Sequence, residues 1–278
     1  MNPPMPESWY RRYFDMVGIE PAPPSLENLN AIIRAHRQIP FETMSSLMRR
    51  HAAGTGPVPY VDLEEQLQVW ERRAGGGVCF EFGAMLGALL DHLGYDVAPN
   101  LAQISFPGSH SALIVQLPEG RYIADVGNGQ PIFEAIPVDQ PFEFIRGGLG
   151  YRFWKDESLG KLVQDRHEHG QWKSYVWYDL EGATDQEMED SMQRHHALPP
   201  LTFVMQNFRI VSCREDLVIQ LRDHDLIHYR ESGKATQEVY GLERYRDVVC
   251  DVFGMTGLDV EKALEGWVAI TGAKVDRT

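Results

Sequence analysis

The sequence predicts an α+β chain in three successive blocks: helical over residues 1–94, β-rich over 95–185, and mixed α/β over 186–278. Apolar residues recur at helical spacing as far as Gly94; short β-forming runs between Pro and Gly turns then take over, and the remainder mixes both patterns. In the first block Leu26, Leu29, Ile32 and Ile33 share one helix face, with Ser25 as N-cap and Glu27 in the first turn. Asn28 stands where a capping box needs Glu or Gln, and Pro40 closes the helix. Residues 62–73 carry Leu63, Leu67 and Trp70 on a stripe. A third helix follows Cys79, uses Phe82, Met85, Leu86, Leu89, Leu90 and Leu93, and stops at Gly94. In the second block residues 109–117, 121–126, 151–154 and 174–178 read as strands of an antiparallel sheet or barrel. The third block reads as a polar helix over 187–196, strands over 208–213, 217–221 and 225–229, and helices over 247–253 and 260–270.

Apolar residues make 43% of the 278 and charged ones 24%, an ordinary globular composition. Lys and Arg number 26 against 40 Asp and Glu, a net charge of −14, so the chain lacks the basic face that nucleic acid needs. A local basic pocket for a phosphorylated cofactor stays open. The apolar run over 84–90 is far short of a membrane span of ~20 residues, and the N-terminus lacks the apolar centre of a signal peptide. Cys79, Cys213 and Cys250 are too scattered for a disulfide framework or a zinc site. The expectation is a soluble cytoplasmic protein with no metal, no nucleic-acid partner and no membrane partner.

Chemistry concentrates after Gly75-Gly76-Gly77, where Cys79 opens a helix. Free backbone N–H groups and the helix dipole there favour a thiolate, and the glycines allow close approach of a substrate. A buried structural cysteine fits the same pattern. A nucleophilic thiol needs a base, and the base needs an orienter. In the hairpin of 109–117 and 121–126, a loop that sets Gln116 opposite Arg121 also sets Asp125 opposite Ala112, two residues from His110 on the same face. Loops of four or two residues preserve that face, and an unbulged loop of three reverses it. The spacing permits a His–Asp pair without requiring one.

Other signals have plainer readings. His167 and His169 form an H-x-H in what reads as a polar loop, His195 and His196 decorate a helix end, and Cys213 and Cys250 sit in apolar runs. Gly127-Asn128-Gly129 fits either a phosphate cradle or a turn. Phe41, Phe80 and Phe203 fit an acceptor pocket or simple core packing.

Four collinear segments decide between these readings. Ile39-Pro40-Phe41-Glu42, Gly76-Gly77-Val78-Cys79-Phe80-Glu81, Ser109-His110 and Tyr122-Ile123-Ala124-Asp125-Val126-Gly127 together resemble the arylamine N-acetyltransferase family over about residues 9–130. The resemblance implies a multidomain α+β fold: an N-terminal helical bundle, a central antiparallel β-barrel and a C-terminal α/β lid around a cysteine-protease-like Cys-His-Asp core. It implies that Cys79, His110 and Asp125 carry ping-pong transfer of an acetyl or other short acyl group from acetyl-CoA to an arylamine, an arylhydrazine or a related amine. By the same resemblance Phe41, Phe80, Asn128, Gly129 and Phe203 line the substrate site, and Gly127 and Gly129 border the cofactor. Departures are visible: Gly75 replaces the family's arginine, Asn128 an aromatic residue, Gln130 a glycine, Phe82 and Gly83 a polar pair, and Leu201 a serine. An amide synthase with a carrier-bound acyl donor, and a cysteine hydrolase or transglutaminase-like enzyme, use the same triad.

Overall fold

The structure, a computed structural model, describes residues 4–168, 170–197 and 206–277. Its first part runs α1 (Glu7–Val17), α2 (Leu26–His36), β1 (Phe41–Glu42), α3 (Met44–Ala53), α4 (Leu63–Glu71) and α5 (Cys79–His92). Then come β2 (Asp96–Gln103), β3 (His110–Leu117), β4 (Gly120–Ala124), β5 (Ile136–Pro137), β6 (Phe142–Arg146), β7 (Leu149–Asp156), β8 (Lys161–Glu168) and β9 (Gln171–Asp179). The last part holds α6 (Asp185–His195), β10 (Arg209–Cys213), β11 (Val218–Arg222), β12 (Asp225–Arg230), β13 (Gly233–Glu238), α7 (Leu242–Asp247), a π-helical turn over Val248–Val252, and α8 (Val260–Thr271).

Local sequence explains the helix starts. Ser25 Oγ accepts from the Asn28 N–H at 3.1 Å and Asp62 Oδ1 from the Glu65 N–H at 2.8 Å. Thr184 and Glu187 close a capping box on α6. Helices α1, α2, α4 and α5 bury Trp9, Tyr13, Ile32, Leu67, Trp70, Met85 and Leu86 against Leu113 and Val115 of β3. The opposite face of β3 carries Ala112 into a second core with Ile123, Tyr151, Phe153 and Tyr178. Period-two alternation on one strand thus divides helical core from sheet interior.

The eight strands β2–β9 form one antiparallel sheet in the order β5-β4-β3-β2-β9-β8-β7-β6, curled into a nearly closed barrel. Arg146, at the end of edge strand β6, bonds Glu134 at 2.6 and 2.8 Å and the Pro131 carbonyl at 3.2 Å, just before edge strand β5. Side chains close the seam that backbone pairing leaves open.

A second sheet runs β1-β10-β11-β12-β13. Its edge comes from the N-terminal part: Phe41 pairs with Val211 and Glu42 with Ile210. Met44 and Leu47 of α3 lie in one core with Phe208, Leu221, Tyr245 and Trp267. Chain order and packing therefore part company at residues 41–53. The segment read as a helix over 247–253 is the end of α7 followed by the π-turn. His167 belongs to strand β8 rather than a loop, its ring 5.1 Å from that of Trp172, and His169 lies outside the described residues. Among the described residues no group of three metal-ligating side chains occurs, and no helix is long and apolar enough to cross a membrane.

Three histidines are buried and neutral. His36 donates from Nδ1 to the Ile32 carbonyl at 2.9 Å and accepts from Tyr13, and burial pushes its pKa down to about 4. Burial also lowers His195 to about 3 and His196 to about 4. In the unfolded chain these rings protonate near ~6.5, so their contribution to stability is complete above that pH and is lost as pH falls. Denaturant unfolding is expected to show uptake of up to about three protons from pH 6.5 toward 5, before most carboxylates titrate. A flat stability profile over that interval contradicts burial of these rings in neutral form.

Candidate active site

The glycine loop is clamped from several sides before it delivers Cys79. Arg73 takes a left-handed φ of 52° as the chain leaves α4. Buried Glu42 accepts from the Gly76 N–H at 3.1 Å, and from the Ser45 hydroxyl and N–H at 2.6 and 2.9 Å. The Gly76 carbonyl accepts from Gln66 Nε2 at 2.9 Å and Trp70 Nε1 at 2.6 Å. A β-carbon on Gly76 would lie 1.6 Å from the Pro40 carbonyl oxygen, and Gly77 has a φ of 120°, so both need to be glycine. A β-carbon on Gly75 would stand 2.7 Å from Ser45 Oγ and 3.2 Å from Glu42 Oε1, which leaves no space there for the family's arginine. Arg72 instead reaches Gln68 at the surface. The cation near the loop is Arg49, paired with Glu81, whose carboxylate also caps the Val78 N–H at 2.9 Å. Burial works against charge on Glu81, but Arg49 outweighs it and the pKa falls below the usual range.

Cys79 is the first residue of α5, so its N–H has no partner within the helix. Cys79 is 2% exposed and lies close enough to the His110 ring to favour its protonation. His110 begins β3, and β4 returns with Gln116 opposite Arg121 and Leu117 opposite Gly120. That register sets Asp125, one residue past β4, on the His110 face. His110 Nε2–H donates to Asp125 Oδ2 at 2.7 Å, which leaves Nδ1 for the sulfur. Oδ2 also accepts from Tyr178 Oη at 2.7 Å and Asn128 Nδ2 at 2.9 Å, and Oδ1 from the Gly127 N–H at 3.1 Å. Arg37 bonds the Asp125 carbonyl at 2.7 Å. Burial opposes ionisation of Asp125, but His110, Tyr178 and Arg37 outweigh it and hold the carboxyl below its usual range. Burial likewise opposes charge on His110; Asp125 and Cys79 reverse the balance and push it up to about 10.

Asn128 Oδ1 accepts from the Gln130 N–H at 2.9 Å, and the Gln130 side chain bonds Gln164, which accepts from Tyr178 at 3.2 Å. The two departures from the family's glycine turn thus build a polar ring around Asp125.

A narrow cavity opens at the sulfur. Phe41, Phe106 and Tyr175 supply aromatic walls, and Asn128, Arg209 and His195 polar ones. Of the other residues singled out in the sequence, Phe80 is buried with its ring 5.1 Å from that of His195. Gly129 lies under Phe41, Gly127 against the Cys79 backbone, and Phe203 falls outside the described residues. Cys213 is buried, which pushes its thiol up to about 11, and Cys250 is half-buried. His195 and His196, read as decoration of a helix end, are buried: His196 Nδ1 donates to the Met192 carbonyl at 2.9 Å and Nε2 accepts from Ser46 at 3.1 Å. The one signal for this was Met188, Ser191, Met192 and His195 at helical spacing in an otherwise polar segment.

The sequence model of a family described as N-acetyltransferase matches residues 25–263. An arylamine N-acetyltransferase of Mycolicibacterium smegmatis is 27% identical over 90% of this chain and 94% of its own length. One from Escherichia coli is 26% identical over 80% of this chain and 74% of its own. Among solved structures, that of Mycobacterium marinum arylamine N-acetyltransferase in complex with CoA superposes with a TM-score of 0.79 at 20% identity, covering 94% of this chain and 99% of that one. At that identity the superposition speaks for the fold.

Gly127 offers a direct test of the geometry. A β-carbon there would stand 2.5 Å from Cys79 Cα and 3.0 Å from Cys79 Cβ. Gly127→Ala is expected to cost about 1–3 kcal/mol of stability through overpacking. Displacement of the thiol should lower turnover by about a hundredfold or more in protein that still folds by circular dichroism. Near-normal turnover contradicts the close packing of Gly127 on Cys79.

Proposed function

This chain belongs to the arylamine N-acetyltransferase family, and on that premise we propose that it moves an acetyl group from acetyl-CoA to an aromatic amine or hydrazine through an acetyl-Cys79 intermediate. The observation that carries the reading is the contact of Cys79, at the start of α5, with a His110 ring held by buried Asp125. A cation beside a sulfur at a helix N-terminus favours the thiolate, the nucleophilic form. The Cys79 sulfur attacks the thioester carbonyl; its new C–S bond replaces the bond to CoA, whose sulfur leaves with the proton from His110. The amine then attacks the acetyl-enzyme, a C–N bond replaces the Cys79 thioester, and His110 takes the proton from nitrogen. The Cys79 N–H, which has no partner within its helix, is a donor for the oxyanion of both tetrahedral intermediates.

The cavity supports this assignment of substrates. Phe41, Phe106 and Tyr175 suit an aromatic ring. Arg209 lines the same cavity among Arg166, Arg222 and Tyr175, a basic group in a chain of net charge −14 that suits the phosphates of CoA. The relative solved with CoA supports the same donor. Asn128 borders the cavity, Gly129 packs beneath its Phe41 wall, and Gly127 lies against the backbone of the nucleophile.

Incubation with acetyl-CoA and no amine is expected to add one acetyl group, and peptide mapping should place it on Cys79. Addition of an arylamine should then discharge it as the amide. Acetylation of Cys213 or Cys250 with Cys79 unmodified overturns the assignment of the nucleophile. Absence of labelling by any short acyl-CoA overturns that of the donor.

A further inference from the structure

Resting on that reading, we propose that His195 is the group that recognises the amine: its bare Nε2 accepts an N–H from the nucleophile while the nitrogen lone pair faces acetyl-Cys79. The ring lines the cavity that holds Cys79. Its tautomer follows from one contact. Nδ1 lies 3.2 Å from the Ser109 carbonyl oxygen, which can only accept, so Nδ1 carries the hydrogen and Nε2 is an acceptor. His195 is 2% exposed, and Nε2 has no hydrogen-bond partner among the described residues. An unpaired buried acceptor is costly and calls for an explanation, of which an absent ligand is one.

Neighbouring side chains fix both the position and the charge state of the ring. Phe80 stands edge-on at 5.1 Å between ring centroids, and His196 at 5.2 Å. Cys79, Tyr175 and Arg209 share the cavity with the ring; burial, His196 and His110 outweigh Glu81 and the Ser109 carbonyl and leave the ring neutral, its pKa lowered to about 3. A ring that stays neutral is no proton sink, which leaves proton transfer to His110. Division of labour follows: two histidines flank Ser109, one charged and facing the sulfur, one neutral and lining the cavity.

The chemistry of the two substrates decides which of them this nitrogen suits. The reacting end of acetyl-CoA is a thioester, whose oxygen and sulfur only accept, so a bare ring nitrogen repels their lone pairs. The reacting end of a primary amine or hydrazine carries two N–H donors. One can bond Nε2 and the other remain near His110 for transfer. A nucleophile without a spare N–H gains nothing from His195.

In a ping-pong reaction kcat/KM for each substrate reports its own half-reaction, so the proposal has a readout that a structural role would not give. His195→Met and His195→Leu both remove the acceptor, so the test does not hang on one of them folding; His195→Gln retains an acceptor of similar reach. For the two apolar variants kcat/KM for the arylamine is expected to fall about ten- to a hundredfold, the loss of one buried hydrogen bond. For acetyl-CoA the change should be several times smaller, and His195→Gln should recover most of the amine value. Equal losses for both substrates, an unchanged amine kcat/KM, or a glutamine variant no better than methionine overturns the proposal. A wild-type protein that never acetylates Cys79 defeats the underlying reading, and the proposal with it.

Discussion

The carboxylate of Asp125 is a full charge with no exposure to solvent, and most of the site exists to make that tolerable. Such a charge in a protein interior costs several kcal/mol unless donors replace its water. His110, Tyr178, Asn128 and the Gly127 N–H supply four, drawn from two strands and one turn. Each donor is itself placed by something else. Tyr178 is held by β9 against β2, His110 by the start of β3, and Asn128 by its own turn through the Gln130 N–H. Because the sheet curls, these strands converge on one carboxylate, and the result is a positive ring beside a sulfur.

Delivery of the sulfur is a separate mechanical problem, solved from the other side of the chain. Residues 39–45 leave α2, lend β1 to the second sheet, and turn Glu42 inward to hold the glycine loop. The same short segment therefore joins three things: the helical core through α2, the second sheet through β1, and the nucleophile through Glu42. Burial raises the Glu42 carboxyl, opposed by its bonds to Ser45 and Gly76, so the loop is held by hydrogen bonds more than by an ion pair. Close contacts at Gly75 and Gly76 explain why side chains are excluded there.

Much of this was legible in the sequence, for physical reasons that differ from residue to residue. Ser25 acts locally, so its capping could be read from neighbours alone. Period-two alternation made a shared face of His110 and Asp125 permissible before any fold was known, and the two-residue turn that sets Leu117 opposite Gly120 selects it. What escaped has a nonlocal cause. Helix α3 buries Met44 and Leu47 against the distant strands β10–β12 and helix α8, while its sequence, with Ser45, Ser46, Arg49 and Arg50, looks polar. Strand β1 is two residues long and has meaning only beside Val211. His195 and His196 sit in a charged stretch that gave no hint of burial beyond four residues at helical spacing. Asn128 and Gln130 could be recognised as departures but not as the builders of a network, because that network closes through Gln164 and Tyr178, 34 or more residues further along the chain than Gln130.

The account stands on Asp125 holding a charged His110 next to the Cys79 sulfur. The most direct measurement is an NMR titration of the His110 ring in protein labelled with nitrogen-15 at histidine, assigned with the Asp125→Asn variant. The account predicts a ring that stays protonated through neutral pH and titrates at about 10, well apart from His195 and His196, which stay neutral down to about 3 and 4. A His110 ring that titrates near the ordinary value of ~6.5, unmoved by Asp125→Asn, would contradict it.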